Sequence, residues 1–152
     1  MVELTHLKIC VVGSHGGHLA ELLSILEAFK ESEIFYITYK GFRSKELKKA
    51  FFIRNPSENL LDFMLGVLQI PRILIKERPH VVISLGAEIA IPVFYFAKLL
   101  GLRTIFIESA CRVNGPSITG RIIYPIADLF LVQWPQLLRK YGRKARYEGS
   151  II

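Results

Sequence analysis

Short apolar runs alternate along this chain with stretches in which apolar positions recur at steps of three and four, the signatures of buried strands and of helices with one apolar face. The run LKICVVG, Leu7 to Gly13, ends in glycine, and behind SHGGH the apolar residues Leu19, Leu22, Leu23, Leu26 and Phe29 follow at helical spacing. That order predicts strand, tight turn, helix. IFYITYK (34–40) predicts a second strand, GFRSKELKK a basic turn with a short helix, and AFFIRN a third short strand. Residues Glu58 to Glu77 predict one helix, HVVISLG a strand, Ala87 to Leu100 a helix and RTIFIES another strand. Beyond a polar loop through Gly115 and Pro116 come a short helix over TGRIIYPIA, a strand over DLFLVQ, a helix from Pro135 to Tyr141 and a last strand over Ala145 to Glu148.

Strands with few charges, separated by helices, are what a parallel sheet buried on both faces requires. The expected fold is therefore α/β, a doubly wound, Rossmann-like parallel sheet. Neither an internal repeat nor a low-complexity linker divides the chain, so residues 1–152 are expected to form one domain. The chain stops at GSII just behind the last strand, where a two-domain protein crosses into its second half. Either a fragment or a subunit whose other half is a separate chain is the expectation.

Composition narrows the classes. With 51% hydrophobic and 22% charged residues in 152, the chain is too apolar for a disordered tail and long enough for a real core. Two cysteines without a CxxC or Cys/His ligand spacing make neither a disulfide scaffold nor a zinc site, so no metal is expected and a reducing, cytosolic setting is the default. No uncharged apolar run approaches the roughly 18–20 residues a membrane span needs, and the N-terminus has no signal-peptide pattern.

Charge and surface pattern then point to a membrane face or an anionic ligand. Lys and Arg number 20 against 13 Asp and Glu, a net charge of +7. Basic residues cluster at Lys40, Arg43, Lys45, Lys48 and Lys49, and at Arg139, Lys140, Arg143, Lys144 and Arg146; near an anionic bilayer each is worth about 1 kcal/mol. Between 58 and 77, Leu61, Met64, Leu65 and Leu68 form one stripe, and Leu60, Phe63, Val67, Ile70 and Leu74 another. A helix apolar nearly all round is either deeply buried or covered on its outer face by protein or lipid. The start of the helix over Ile89 to Leu100 is nearly uniformly apolar as well. Aromatic residues do not interleave with the basic ones as a nucleic-acid stacking platform requires, so no nucleic acid is expected as a partner.

In an open parallel sheet ligands bind beyond the carboxyl ends of the strands, which singles out three turns. In GSHGGH (13–18), Gly16 and Gly17, with Ser14, let backbone N–H groups approach a phosphate or diphosphate at a helix start, unless they only permit a tight turn. His18 is the candidate base or hydrogen-bond partner; His15 is weaker. In SLGAE (84–88), Gly86 permits close approach and Ser84 is a candidate helix cap. In ESACRVNGPSITGR (108–121), Glu108, Ser109, Arg112, Asn114 and Arg121 are more polar chemistry than a connection needs. Arg112 and Arg121 suit a forked clamp on a diphosphate, with Glu108 orienting an arginine or accepting from a sugar hydroxyl; a Glu108–Arg112 ion pair that pins the loop is the structural alternative. Cys111 reads as a small space-filling residue.

The combination of VVGSHGGH, FIESACRVNGPSITGRIIYPIADLFLVQWPQL and the closing YEGSII resembles, over the whole chain, the acceptor-binding, membrane-recruiting subunit of the two-part UDP-GlcNAc transferase that extends dolichyl-diphosphate-GlcNAc. It equally resembles bacterial capsule and exopolysaccharide subunits of PssD or CpsF type. More distantly it is similar to the N-terminal domain of the peptidoglycan GlcNAc transferase that makes lipid II, whose glycine-rich turn ends in the same GGH. The resemblance implies the N-terminal domain of a GT-B glycosyltransferase split into two polypeptides. A small C-terminal-half partner would hold most of the UDP-sugar, so no tightly bound cofactor is implied, and this half would hold the lipid-diphosphate-linked acceptor. Gly16, Gly17 and His18 would border the acceptor diphosphate and reacting hydroxyl; Glu108, Ser109, Arg112 and Asn114 would form the crevice wall facing the partner. Eukaryotic members begin with a transmembrane helix that is missing from this sequence, so attachment at the cytoplasmic membrane face would be peripheral. A non-catalytic scaffold that recruits a partner transferase, and a stand-alone nucleotide-binding enzyme of the same fold, are the rival expectations.

Overall fold

Among the described residues seven parallel strands form one sheet in the order β3-β2-β1-β4-β5-β6-β7. The structure, a computed structural model, describes residues 6–14, 16–41 and 43–151. The strands are β1 (Lys8–Gly13), β2 (Glu33–Tyr39), β3 (Ala50–Ile53), β4 (Val81–Ser84), β5 (Arg103–Ile107), β6 (Leu129–Val132) and β7 (Ala145–Tyr147). The helices are α1 (Gly17–Ile25), α2 (Leu60–Val67), α3 (Ile70–Glu77), α4 (Ala90–Leu99), α5 (Ile118–Ile123) and α6 (Leu137–Tyr141), with 3-10 turns at Leu26–Phe29 and Arg43–Glu46. The doubly wound α/β expectation is met, with element ends shifted by a few residues.

The two faces of the sheet are sorted by the period-two alternation of each strand. Cys10, Val12, Phe35, Ile37, Tyr39, Val82, Phe106 and Phe130 point into the larger core, where Ile70, Ile73 and Leu74 of α3 and Val93, Phe94 and Ala97 of α4 cover them. Ile9, Val11, Ile83 and Ile107 point the other way, against Leu22 and Ile25 of α1. In the larger core the stacked rings of Phe106 and Phe130, 5.0 Å apart, carry Tyr141 of α6, whose ring lies 4.5 Å from Phe130.

The single helix expected over 58–77 is two helices. Pro71 has no N–H and its ring crowds the carbonyl four residues earlier, which belongs to Val67, the last residue of α2. The chain restarts at Ile70 with Pro71 in the first turn of α3, a position that tolerates proline. The two apolar stripes also part company. Ile70 and Leu74 are fully buried, while Leu61 (76%), Met64, Leu65 and Leu68 (67%) are exposed together with Leu60, which the sequence pattern grouped with Ile70 and Leu74. Deep burial of the whole segment is thereby excluded.

At the amino ends of the strands Glu77, only 7% exposed, pairs with Lys8 at 2.7 Å and Lys49 at 2.8 Å, and Glu33 bridges the same two lysines. The lysine hydrogen bonds, Lys49 first, hold the Glu77 carboxyl below the ordinary glutamate range although burial opposes them. Lys49 is thus engaged within the fold, and is not one of a free basic cluster. Lys144 likewise donates to the Pro125 carbonyl at 3.0 Å, and burial lowers its ammonium. The side chains of Arg43 and Lys45 lie outside the described residues.

Candidate functional site

The strand order reverses between β1 and β4, which leave their shared border in opposite directions. A crevice opens at such a switch point because the connections on either side lead to opposite faces. Here it is a cleft of about 550 Å³, lined by Gly17 and Glu21 of α1, the turn 85–88 with Ile91, and Glu108, Ser109, Cys111, Arg112, Ser117, Ile118 and Thr119 beyond β5. The three turns singled out by the sequence therefore meet at one mouth.

The first turn contributes backbone. A Cβ added at Gly17 would meet nothing within 4 Å, and Gly17 is not among the positive-φ residues. Neither packing nor backbone geometry asks for glycine there, so a tight turn alone does not account for it. The open space leaves the helix start accessible. His18 belongs to α1, but its side chain lies outside the described residues, as does all of His15. Ser14 and Gly16 are next to the cleft without lining it.

The second turn is closed by its own serine. Buried Ser84 accepts from Gly86 N and donates to Gly86 O, both at 3.1 Å. It does not cap α4, whose first residues have no side-chain cap. Gly86 (φ 129°) and Ala87 (φ 76°) both take positive φ. For alanine that conformation costs about 1–2 kcal/mol, and it sits on the wall of the cleft.

The third turn is organised by Glu108, which is 1% exposed. Its carboxylate accepts from Ser109 N at 3.1 Å, from Ser117 N and Oγ at 3.0 Å each, and from the Tyr141 hydroxyl. Burial first, and then the neighbouring carboxylate, push the Tyr141 phenol well above the ordinary tyrosine range, so the phenol stays protonated and donates. Gly120 of α5 makes the close approach possible: a Cβ there would lie 2.7 Å from Glu108 Oε2 and 2.8 Å from Ser117 Oγ. Glu108 therefore orients its own loop and not an arginine, and among the described residues no ion pair joins it to Arg112. The Glu108 carbonyl takes Gln133 Nε2 at 3.0 Å, and the Ala110 carbonyl takes Trp134 Nε1 at 2.7 Å. Gln133 Oε1 in turn accepts from Ile151 N at 3.0 Å, which ties the closing YEGSII segment to the same loop.

The remaining site residues separate. Arg112 is exposed on the cleft wall. Arg121 is not beside it but lines a separate cleft of about 340 Å³ with Pro116, Tyr124, Lys140 and Tyr141, so the two arginines do not share one clamp. Asn114 is exposed in the connecting loop and does not line the main cleft. Ser109 is buried, with its hydroxyl donated to Glu21 at 3.1 Å and accepting from Cys111 N at 3.3 Å. Cys111 is an exposed thiol on the cleft and not a space-filler. Glu21 was missed by sequence reasoning; its position four residues after Gly17, one helical turn, was the available signal. Among the described residues no group of three or more His, Cys, Asp or Glu gathers to hold a metal ion, and no helix is long and apolar enough to cross a membrane.

A parallel sheet of this order, with its cleft at the switch point, defines a doubly wound, Rossmann-like domain. It superposes on MurG of Acinetobacter baumannii with a TM-score of 0.75 at 12% identity, over 94% of this chain and 45% of that one. The corresponding figures for UDP-N-acetylglucosamine 2-epimerase of Rickettsia bellii are 0.76 and 17%, over 95% and 45%. The chain thus spans a little under half the length of these solved structures, and at such identities the likeness concerns fold alone. Residues 43–151 match the family described as "Oligosaccharide biosynthesis protein Alg14 like", and the chain belongs to that family. It is 30% identical to the UDP-N-acetylglucosamine transferase subunit ALG14 of Yarrowia lipolytica, over 95% of this chain and 81% of that protein. It is 28% identical to the human protein of the same name, over 96% and 83%.

Proposed function

We propose that this chain is the acceptor-side subunit of a two-component UDP-sugar glycosyltransferase, with UDP-GlcNAc as donor, in lipid-linked oligosaccharide or polysaccharide synthesis. The observation that carries this reading is the convergence of three turns on one cleft that offers an open helix start at Gly17 and an exposed guanidinium at Arg112. Among the described residues no carboxylate pairs with Arg112. Backbone N–H groups at a helix start together with an uncommitted arginine suit a diphosphate. The names of the relatives supply the reaction class and the expectation of a partner subunit.

In this reading a small C-terminal-half subunit closes over the cleft and holds most of the UDP-sugar, with no tightly bound cofactor. The polyprenyl- or dolichyl-diphosphate-linked sugar lies along Gly16, Gly17 and the 108–112 loop, near Ser14 and Gly86. The reaction is a single displacement: the acceptor hydroxyl loses its proton and attacks C1 of the donor sugar, and UDP departs. His18 takes or orients that hydroxyl. The exposed stripe Leu60, Leu61, Met64, Leu65 and Leu68, together with exposed basic residues such as Lys40 and Lys48, rests peripherally on the cytoplasmic membrane face.

The test is transfer of labelled GlcNAc from UDP-GlcNAc to a polyprenyl-diphosphate-linked GlcNAc by the purified two-subunit complex. His18→Ala and Arg112→Ala are each expected to reduce turnover by about 10²-fold or more. Full turnover by both variants would leave the chain a non-catalytic scaffold. Activity, or tight UDP-sugar binding, by this chain alone would make it a stand-alone enzyme.

A further inference from the structure

The main cleft is lined by three glutamates, and their surroundings give them different tasks. Glu108 is buried and saturated by Ser109, Ser117 and Tyr141. Glu88 stands exposed at the lip and is engaged with the Tyr39 phenol. Glu21 is half-buried on α1 and held at two points, by Ser109 Oγ at 3.1 Å from Oε1 and by Ala110 N at 3.4 Å from Oε2. A carboxylate offers about four acceptor sites, so two neutral donors orient it and leave capacity for another proton donor. Among the described residues no lysine, arginine or histidine pairs with it. An oriented carboxylate in a cleft, with no cation paired to it among the described residues, is the arrangement a general base needs.

We propose that Glu21 is the general base of the transfer reaction, an assignment that rests on the transferase reading above. The acceptor hydroxyl gives its proton to a Glu21 carboxylate oxygen as its own oxygen forms the bond to C1 of the donor sugar. The bond from C1 to the β-phosphate oxygen breaks, and its electron pair leaves with UDP. Ser109 and Ala110 keep the carboxylate aimed during the step, which makes the buried Ser109 hydroxyl a positioning group. His18, three residues earlier on α1, is then left to orient the hydroxyl.

The decisive variant is Glu21→Gln in the two-subunit complex. Glutamine keeps the length of the side chain and an oxygen to accept from Ser109, but cannot take a proton. Turnover is expected to fall by about 10²–10⁴-fold, with acceptor KM, complex formation and melting temperature preserved and the acidic limb of the pH–kcat profile lost. Glu21→Asp is expected to recover part of the turnover together with the acidic limb. A Glu21→Gln complex with wild-type kcat, or one with reduced kcat and an unchanged acidic limb, overturns the assignment and leaves Glu21 a strut for the loop. If the wild-type complex itself transfers no sugar, the transferase reading fails and this assignment fails with it. A wild type that transfers, matched by Glu21→Gln, sinks only the base.

Discussion

The Tyr141 phenol donates to Oε2 of Glu108, a partner 33 residues earlier in the chain. This contact joins the last helix to the end of the fifth strand. The same carboxylate oxygen accepts from Ser117 N and Oγ, so one buried charge holds both ends of the loop that forms a wall of the cleft. A carboxylate so buried persists only when several donors replace its water.

Tyr141→Phe is expected to reduce stability by about 1.5–3 kcal/mol, the usual worth of a hydrogen bond to a charged group. Urea unfolding should show a lower midpoint with an unchanged slope. The 108–117 loop should at the same time exchange its amide hydrogens faster.

Gly120→Ala should destabilise to a similar degree, because its Cβ would enter the contact distance of Glu108 Oε2 and Ser117 Oγ and press on the Tyr141 hydroxyl. Overpacking of this kind costs about 1–3 kcal/mol. Combining it with Tyr141→Phe removes one of the clashing atoms, so the double variant should lose less than the sum of the two single ones. Additive losses would argue against the packing described.

Stability should respond to acid through Glu77. Its folded-state carboxyl is held below the ordinary range by Lys49 and Lys8, so its contribution is complete above the free-glutamate value of about 4.3. It is lost as the pH falls through the depressed folded value. Lys49, raised to about 12 by Glu77 and Glu33, keeps the pairing charged well into the alkaline range. Glu77→Gln is expected to be less stable at pH 7 and to lose less on acidification to pH 3. Equal acid losses in both proteins would remove Glu77 as a cause.

Membrane attachment through α2 predicts that Leu61→Glu with Leu65→Glu abolishes co-sedimentation with vesicles of phosphatidylcholine and phosphatidylserine. Because both leucines are exposed, folding stability should change by no more than about 0.5 kcal/mol per site. Binding by the wild type should also weaken with salt, as screening shortens the reach of the basic residues. Unchanged sedimentation of the double variant would remove this face from the attachment.

The order of strands and helices was legible in the chain because period two and period 3.6 are local properties, visible within one element. The glycine turn and the 108–121 segment were legible as site material for a related reason: in a parallel α/β sheet every strand's carboxyl end lies on the same edge. The break between α2 and α3 was legible in principle at Pro71.

What each polar group does at that edge was decided by the tertiary structure alone. Ser109 meets Glu21 across 88 residues and Ser117 meets Glu108 across nine. Sequence spacing carries no information about such pairs, because sheet register and crossover geometry bring them together. The same holds for Arg121, which α5 turns toward Lys140 and away from Arg112. It holds again for α2, whose outer leucines are exposed because packing Phe63 against Tyr39 and Gly66 against Ile53 needs only one of its faces. Local periodicity determined the fold and the neighbourhood of the site, and long-range packing determined which of its residues remain free to meet a ligand.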